Sequence, residues 1–255
     1  MTINFLGTGT SQGVPVIACN CDVCSSNDLK DKRLRSSIMI SWSDFNFVID
    51  TGPDFRYQML RAEVKSLDAV VYTHEHKDHV AGLDDVRAFN FIQKKAMEIY
   101  GHPRVLKELK REFPYVFSGV NYPGIPKLNL NEIHRESGFK LGGKEIIPVE
   151  VMHYKLPVLG FRVENFCYIT DANYISESEK EKLKGLDVLV LNALRLEEHI
   201  SHFNLDQALE LIEELKPKKC SLTHISHLLG KHEEISEKLP EHVMLAYDML
   251  KIELP

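Results

Sequence analysis

Short apolar runs separated by polar turns dominate the chain, and they predict many strands with a few amphipathic helices. The predicted strands are Thr2–Leu6, Ser37–Trp42, Phe45–Ile49, Ala69–Tyr72, Leu128–Ile133, Lys144–Val151, Leu159–Val163, Phe166–Ile169, Val188–Leu191 and Cys220–Leu222. The predicted helices are Asp85–Gln93, Val105–Phe113, Glu177–Lys184 and Leu205–Leu215. Because strand runs occur in both halves and are followed by helices, we expect two packed sheets with helices outside them.

The overall composition is that of an ordinary globular protein, with 44% hydrophobic and 27% charged residues over 255 positions. No stretch approaches the roughly 18 apolar residues of a membrane span, and the N-terminus lacks the pattern of a signal peptide. A cytoplasmic protein without membrane contact is therefore expected. The net charge of −6 argues against a nucleic-acid partner. The basic cluster Lys30, Lys32, Arg33 and Arg35 is expected to be a solvated loop.

The five cysteines point to metal binding rather than to disulfides. An odd count in a cytosolic chain argues against a disulfide framework. Cys19, Cys21 and Cys24 have the spacing of thiolates in a tetrahedral zinc site that needs one more ligand. The alternative is that these three cysteines pack as small apolar side chains. Cys167 and Cys220 lie in apolar runs and are predicted to be core residues.

The segment from His74 to His79 reads HEHKDH and follows an apolar run that predicts a strand. Neutral imidazole is the commonest metal ligand, and a solvated loop would not concentrate three histidines and an aspartate in six residues. The pattern is not H-E-x-x-H, so we do not expect two ligands one turn apart on a single helix. A loop that follows a strand can instead direct alternate side chains at two ions.

The H-x-H-x-D-H motif resembles the signature of the metallo-β-lactamase superfamily, and further motifs resemble that family in the same order along the chain. They are VIDTG with Asp50, VEVMHYK with His153, YITDA with Asp171 and LTHISH with His224. Each stands at the end of a predicted strand. The resemblance implies an α/β fold (α+β by some schemes), arranged as an αββα four-layer sandwich in a single domain over residues 1–255.

The resemblance also implies a ligand set for two divalent ions, manganese or zinc. One ion would be bound by His74, His76 and His153, the other by Asp78, His79 and His224, and Asp171 would bridge them. Asp50 would orient the histidine loop. Nitrogen and oxygen ligands of this mix suit zinc, manganese or iron.

Within that superfamily, the segment GTGTSQGVPVIACNCDVC resembles the N-terminus of the PhnP-like phosphodiesterases. The resemblance implies that a structural zinc is bound by Cys19, Cys21, Cys24 and His227. It also implies that His202 lies at the substrate phosphate, and Asn204 is predicted to cap the helix that follows. His199 is expected at the surface, and so are His102, His134, His232 and His242.

The hypothesis is a metal-dependent phosphodiesterase that acts on a small cyclic phosphodiester, such as phosphoribosyl 1,2-cyclic phosphate. Two ions about 4 Å apart lower the pKa of a bridging water and hold the attacking and leaving oxygens, so a bridging hydroxide would attack phosphorus. Asp78 would orient this nucleophile. His202 would bind the phosphate or protonate the leaving group.

Two other functions stay open at this point. An RNA-processing nuclease of the tRNA 3′-end type shares the histidine motif, although the acidic charge argues against it. A non-hydrolytic carrier in cofactor biosynthesis has a similar cysteine segment. The resemblance implies that such a carrier lacks some of the histidines of the ligand set, whereas this chain has all of them. The segment 114–127 is long enough to be a lid or a dimer contact, and a homodimer is left open.

Overall fold

The computed structural model describes residues 1–119 and 122–255. The chain folds into two compact units, each of which contains one mixed seven-stranded sheet. Unit 1 comprises Met1–Gly7, Arg35–His134 and Met249–Pro255, and unit 2 comprises Thr8–Leu34 and Arg135–Asp248.

The described residues form fourteen strands and seven α-helices. The strands are β1 (Thr2–Gly7), β2 (Ser37–Trp42), β3 (Phe45–Ile49), β4 (Ala69–Val71), β5 (Met97–Gly101), β6 (Leu128–Glu132), β7 (Phe139–Leu141), β8 (Lys144–His153), β9 (Leu156–Val163), β10 (Phe166–Tyr168), β11 (Val188–Asn192), β12 (Lys219–Thr223), β13 (Val243–Leu245) and β14 (Lys251–Glu253). The helices are α1 (Phe55–Arg61), α2 (Lys77–Val80), α3 (Arg87–Gln93), α4 (Pro103–Glu112), α5 (Glu177–Lys180), α6 (Leu205–Leu215) and α7 (His232–Ser236).

The sheet of unit 1 has the order β14-β1-β2-β3-β4-β5-β6. Strands β1, β2 and β3 are antiparallel, and β3 to β6 are parallel to one another. The β2–β3 hairpin turns at Ser43 and Asp44, and its register pairs Trp42 with Phe45. One side of this sheet packs against α1, α3 and α4, so that the core of unit 1 includes Phe55, Phe89 and Leu109.

The sheet of unit 2 has the order β13-β12-β11-β10-β9-β8-β7, with β10 to β13 parallel and β7 to β10 antiparallel in sequence. Helix α6 begins with a capping box, in which Asn204 and Gln207 each bond the other's backbone N–H. Its buried residues recur three and four apart and join the core of this unit.

Most predicted elements are confirmed to within two or three residues. Four strands were not predicted: β5, β7, β13 and β14, of which three have only three residues each. The predicted helix Asp85–Gln93 begins with a 3-10 turn at Leu83–Val86, and the predicted helix Glu177–Lys184 is α5 followed by a second such turn. These short segments carry too little periodicity for a pattern to reveal them.

Two surface predictions were wrong. Arg33 is only 4% exposed and His232 only 7% exposed. The guanidinium of Arg33 donates hydrogen bonds to Thr8 Oγ1 at 2.9 Å and Ala246 O at 2.5 Å, and Arg33 Nη2 lies 3.1 Å from His232 Nδ1. A buried cation needs such partners.

The prediction that Cys167 and Cys220 are core residues is confirmed.

No helix in the described part of the chain combines the length and the apolar character that a membrane crossing requires. The segment 114–127, which is long enough to be a lid or a dimer contact, includes residues 120 and 121, which lie outside the described residues.

Candidate metal centre

In unit 1, the first group of predicted ligands is built at the carboxyl ends of β3 and β4. These strands are parallel, so their carboxyl ends meet at one edge of the sheet. Asp50 follows β3 directly, and its N–H donates to Val71 O at 3.0 Å. Thr73 and His74 follow β4, and Thr73 N donates to Asp50 Oδ1 at 2.9 Å.

Asp50 orients His79, as the resemblance implies for this position. Its fully buried carboxylate accepts a hydrogen bond from His79 Nδ1 at 2.7 Å and one from Thr73 Oγ1 at 2.8 Å. A carboxylate can only accept, so the hydrogen of the neutral ring lies on Nδ1 and the lone pair lies on His79 Nε2. Burial raises the pKa of Asp50, and the hydrogen bonds from His79 and Thr73 oppose that rise.

The other predicted ligands of this loop gather around the same ring. The His74 ring centroid lies 4.6 Å from that of His76 and 4.2 Å from that of His79. Asp78 Oδ2 lies 3.1 Å from His79 Nε2. Asp78 and His79 belong to the single helical turn α2, whereas His74 and His76 precede it. No pair of these ligands depends on one long helix, in agreement with the sequence prediction.

A glycine makes room for the Asp78 turn. A Cβ placed on Gly52 would lie 2.1 Å from Asp78 O, which is far inside van der Waals contact with backbone. Gly82 similarly has Gly52 O at 2.2 Å from its ideal Cβ position. The absence of a side chain at Gly52, the glycine of the VIDTG motif, therefore lets the backbone of the Asp78 turn lie close to it.

In unit 2, the second group of predicted ligands also occupies strand ends. His153 ends β8, Asp171 lies three residues beyond β10, and His224 follows β12 directly. Asp171 and His224 have left-handed backbone conformations, with φ of 57° and 56°, and Asp50 in unit 1 has φ of 66°. A non-glycine residue in this region costs of order 1–3 kcal/mol, and such residues cluster at functional sites.

The side chains of this second group converge on the Asp171 carboxylate. Asp171 Oδ1 lies 3.2 Å from His224 Nε2 and 3.1 Å from His202 Nε2. His153 Nδ1 lies 2.9 Å from Ser201 O, which can only accept a hydrogen bond. The hydrogen of His153 is therefore on Nδ1, and its Nε2 carries the lone pair that a metal requires.

The sequence did not reveal several residues that hold these ligands. Asn192 bonds both the N–H and the carbonyl of Ala172, at 2.7 and 2.9 Å, and so fixes the turn that carries Asp171. Thr170 Oγ1 donates to Asp171 Oδ2 at 2.7 Å. Thr10, from the glycine-rich segment, places Oγ1 3.3 Å from His224 Nε2. None of these residue types has a spacing that marks it.

His199, predicted to lie at the surface, is partly exposed and also contacts His202. His199 is half-buried, and its Nδ1 lies 3.1 Å from Nδ1 of His202. Burial and the neighbouring charge of His202 lower the pKa of His199.

The four predicted structural zinc ligands lie together within unit 2. Their candidate ligand atoms all lie within 4.8 Å of one another, and Cys19 Sγ and Cys21 Sγ are 3.4 and 3.3 Å from His227 Nδ1. A tetrahedral zinc with Zn–S near 2.3 Å and Zn–N near 2.05 Å places sulfur and nitrogen about 3.6 Å apart. The donor set and its spacing therefore fit one zinc ion.

The pKa values of two thiols in this cluster are shifted in opposite directions by their surroundings. The Cys24 N–H and His227 lower the pKa of Cys21 to about 6, so its thiolate forms readily. Burial raises the pKa of Cys24 to about 11. The thiolate, not the thiol, is the zinc ligand, so the contacts of Cys21 favour the form that binds zinc.

With this geometry in hand, the chain can be compared with known proteins. Residues 45–225, well over half of the chain, match the Beta-lactamase superfamily domain. The chain belongs to this superfamily. A solved structure described as a new diphosphatase from the PhnP family is 41% identical, with a TM-score of 0.93, over 100% of this chain and 98% of that one. The metallo-β-lactamase fold, its α/β class and the closeness to PhnP are thereby confirmed.

Two curated relatives carry other names. A protein from Porphyromonas gingivalis named octanoyltransferase is 40% identical over 97% of this chain and 50% of its own length. A ribonuclease Z from Staphylococcus epidermidis is 25% identical over 64% of this chain and 49% of its own length. The chain thus spans about half the length of these relatives. Membership of the superfamily and the histidine and aspartate clusters support a metal-dependent hydrolase.

Proposed function

We propose that this chain is a binuclear metal-dependent phosphodiesterase that acts on a small phosphodiester. The observation that carries this proposal is the 41% identity to a PhnP-family enzyme over the whole chain, together with a filled ligand set. The proposed ligands are His74, His76, Asp78, His79, His153, Asp171 and His224. We further propose that both units belong to one domain, because the family match spans parts of both.

The chain prepares these ligands through its own hydrogen bonds. Asp50 and Ser201 O hold the Nδ1 hydrogens of His79 and His153, so that each ring offers Nε2. Divalent ions of this kind, when bound, activate water as a nucleophile and neutralise charge on the phosphate. Asp78 would orient that water. His202, whose Nε2 lies beside Asp171, would donate a hydrogen bond to the phosphate or a proton to the leaving oxygen.

One other group of residues completes the proposal. Cys19, Cys21, Cys24 and His227 would bind a structural zinc that fixes the N-terminal segment beside the segment that carries His224. A cytoplasmic location stays a prediction, because it rests on the odd number of cysteines, which argues against a disulfide framework. A homodimer stays a prediction.

The substrate can be narrowed by chemistry. The PhnP resemblance favours a ribosyl cyclic phosphate, in which one phosphorus carries two ester oxygens. A second candidate is a diphosphate, because the 41% identical structure is described as a diphosphatase. The ribonuclease Z relatives make an RNA phosphodiester a third possibility that must be tested. The name octanoyltransferase belongs to a protein of which this chain matches half, so an octanoyl thioester serves as a comparison substrate.

The test is hydrolysis of a substrate panel by manganese-loaded and zinc-loaded protein. The panel contains ribosyl 1,2-cyclic phosphate, nucleoside cyclic phosphates, an aryl phosphodiester, a nucleoside diphosphate, precursor tRNA and an octanoyl thioester. Asp78→Ala and His202→Ala are the test variants, and His134→Ala is the control because His134 is exposed. Removing a positioned acid–base group typically costs 10²–10⁴-fold in turnover, whereas His134→Ala is expected to match the wild type.

Each outcome identifies a different function. Preferred turnover of the ribosyl cyclic phosphate, lost in both test variants, supports the proposal with its finer substrate. Preferred turnover of the diphosphate would mean that the substrate cleaved at this site is a phosphate anhydride and not a phosphodiester. Turnover of precursor tRNA alone moves the assignment to an RNA-processing nuclease. Metal-loaded protein that hydrolyses nothing in the panel would contradict the phosphodiesterase proposal and favour the carrier.

A further inference from the structure

Two other histidine rings pack against the His202 ring. It stacks on His224 with ring centroids 5.1 Å apart and an angle of 12° between the planes, and it meets His153 edge-on at 4.6 Å. These contacts fix the plane of the ring. They do not distinguish the ring from its 180° flip, which would exchange each nitrogen with a carbon of nearly the same size. Polar contacts at the nitrogens must therefore decide which atom faces Asp171.

Polar groups are present at both nitrogens of His202. Nε2 lies 3.1 Å from Asp171 Oδ1, and Nδ1 lies 3.0 Å from Ser201 Oγ and 3.1 Å from His199 Nδ1. A flip would place a ring carbon beside each of these groups. The hydrogen bonds on the Nδ1 side therefore favour the orientation in which Nε2 faces Asp171.

His199 is itself held in place. Its Nδ1 lies 3.3 Å from both the backbone N and the Oγ of Ser201, and its ring centroid lies 5.0 Å from that of His202. The loop HISH brings the two histidines together although they are three residues apart and no helix connects them. A serine hydroxyl rotates freely, whereas a half-buried imidazole presents one nitrogen in one direction.

We propose that His199 is a positioning residue that holds the ring of His202 with Nε2 directed at Asp171 and the reacting phosphate. This inference rests on the proposed function, because it assigns His202 to the phosphate. His199 acts only through His202 and does not touch the substrate. The proposal predicts that the two side chains are energetically coupled, and that the coupling affects turnover more than the formation of the metal site.

The experiment is a double-mutant cycle with His199→Ala, His202→Ala and the double variant, assayed on the panel substrate that the wild type turns over best. Outer partners of this kind typically contribute 10–100-fold. His199→Ala is expected to lower kcat at least about tenfold with KM within about twofold. In the His202→Ala background the same change is expected to have no further effect. His199→Asn, whose amide oxygen can replace the accepting Nδ1, is expected to recover most of the lost kcat.

Two results would overturn the proposal. One is a His199→Ala variant with wild-type kcat, and the other is an equal loss of kcat in the presence and absence of His202. Melting temperature and metal content of every variant are measured beside activity, so that a general loss of structure is recognised. If His199→Ala fails to fold, His199→Phe takes its place in the cycle with His202→Ala, because it keeps a ring of similar size but has no nitrogen to contact His202 Nδ1.

A second measurement separates failure of this proposal from failure of the proposed function. Imidazole ¹⁵N spectra of the metal-free wild type and of His199→Ala report the hydrogen-bonding state of His202 Nδ1 without any substrate. A changed Nδ1 signal of His202 in the variant supports the contact, and unchanged signals overturn it. If no panel substrate is hydrolysed, the proposed function fails, and these spectra still decide whether His199 holds His202.

Discussion

Replacing Asp50 with asparagine is expected to weaken metal binding at His79 while leaving the fold in place. The amide is nearly isosteric, so Thr73 N can still donate to the Oδ1 position. In the wild type, His79 Nδ1 carries a hydrogen and lies 2.7 Å from the Asp50 carboxylate. In the variant, the new NH₂ would face this same nitrogen. Two donors cannot bond each other, so the ring must move its hydrogen to Nε2, and Nε2 then has no lone pair for an ion.

The size of this effect follows from the bonds lost. A hydrogen bond to a charged group contributes about 1.5–3 kcal/mol, and about 1.4 kcal/mol corresponds to a tenfold change in affinity. Asp50→Asn should therefore weaken zinc binding at this site by about 10- to 100-fold, in line with the typical effect of an outer partner. The free energy of unfolding of the metal-free protein should fall by a comparable amount, since the carboxylate is fully buried.

The assay is a chelator-competition titration with zinc, paired with urea unfolding of the metal-free protein. Asp54→Asn is the matched control, because Asp54 lies on the same segment and pairs with Arg35 at 3.1 Å. The control is expected to keep the wild-type zinc affinity. An Asp50→Asn protein whose zinc affinity stays within twofold of the wild type would refute this account of how His79 is prepared.

Three further predictions concern other parts of the chain. Gly52→Ala places a Cβ 2.1 Å from Asp78 O and should cost about 1–3 kcal/mol of stability with loss of a metal equivalent, which unfolding and elemental analysis will measure. Cys24→Ser should remove one zinc per chain and lower the melting temperature, and an unchanged zinc count would contradict the cysteine site. Burial and Arg33 lower the pKa of His232 from 6.5 to about 4. Between pH 6.5 and pH 4, His232 is protonated in the unfolded chain but neutral in the folded one. The free energy of unfolding should therefore fall by up to about 3 kcal/mol as the pH is lowered from 6.5 to 4. His232→Gln should flatten that part of the profile of stability against pH.

Local patterns in the sequence were enough to locate the candidate metal-binding loop and most strands. The HEHKDH segment stands out because six consecutive residues carry its chemistry, and the apolar runs before Asp50 and His224 mark strand ends. The same reasoning placed the capping residue Asn204 at the start of α6. In each case the signal lies within a window of a few residues, which is the range over which periodicity and capping act.

What the sequence could not reveal depends on contacts between distant residues. Arg33 and His232 are 199 positions apart, and their contact buries two side chains that look like surface residues in the sequence. Strand β14 is visible only through its pairing with β1 at the other end of the chain. The hydrogen bonds by which Asn192 fixes the Asp171 turn require β10 and β11 to be neighbouring strands. Such roles follow from topology, and no local spacing encodes them.

The most direct test of the two-metal account is a titration of divalent metal into chelated protein, with bound metal and phosphodiester turnover followed together. The account predicts three ions per chain, one of them retained in Asp78→Ala but lost in Cys24→Ser. It also predicts that turnover reaches its maximum only when both ions of the histidine–aspartate ligands are bound. Full turnover with no ion bound by those residues, or undiminished turnover in Asp78→Ala, would contradict it.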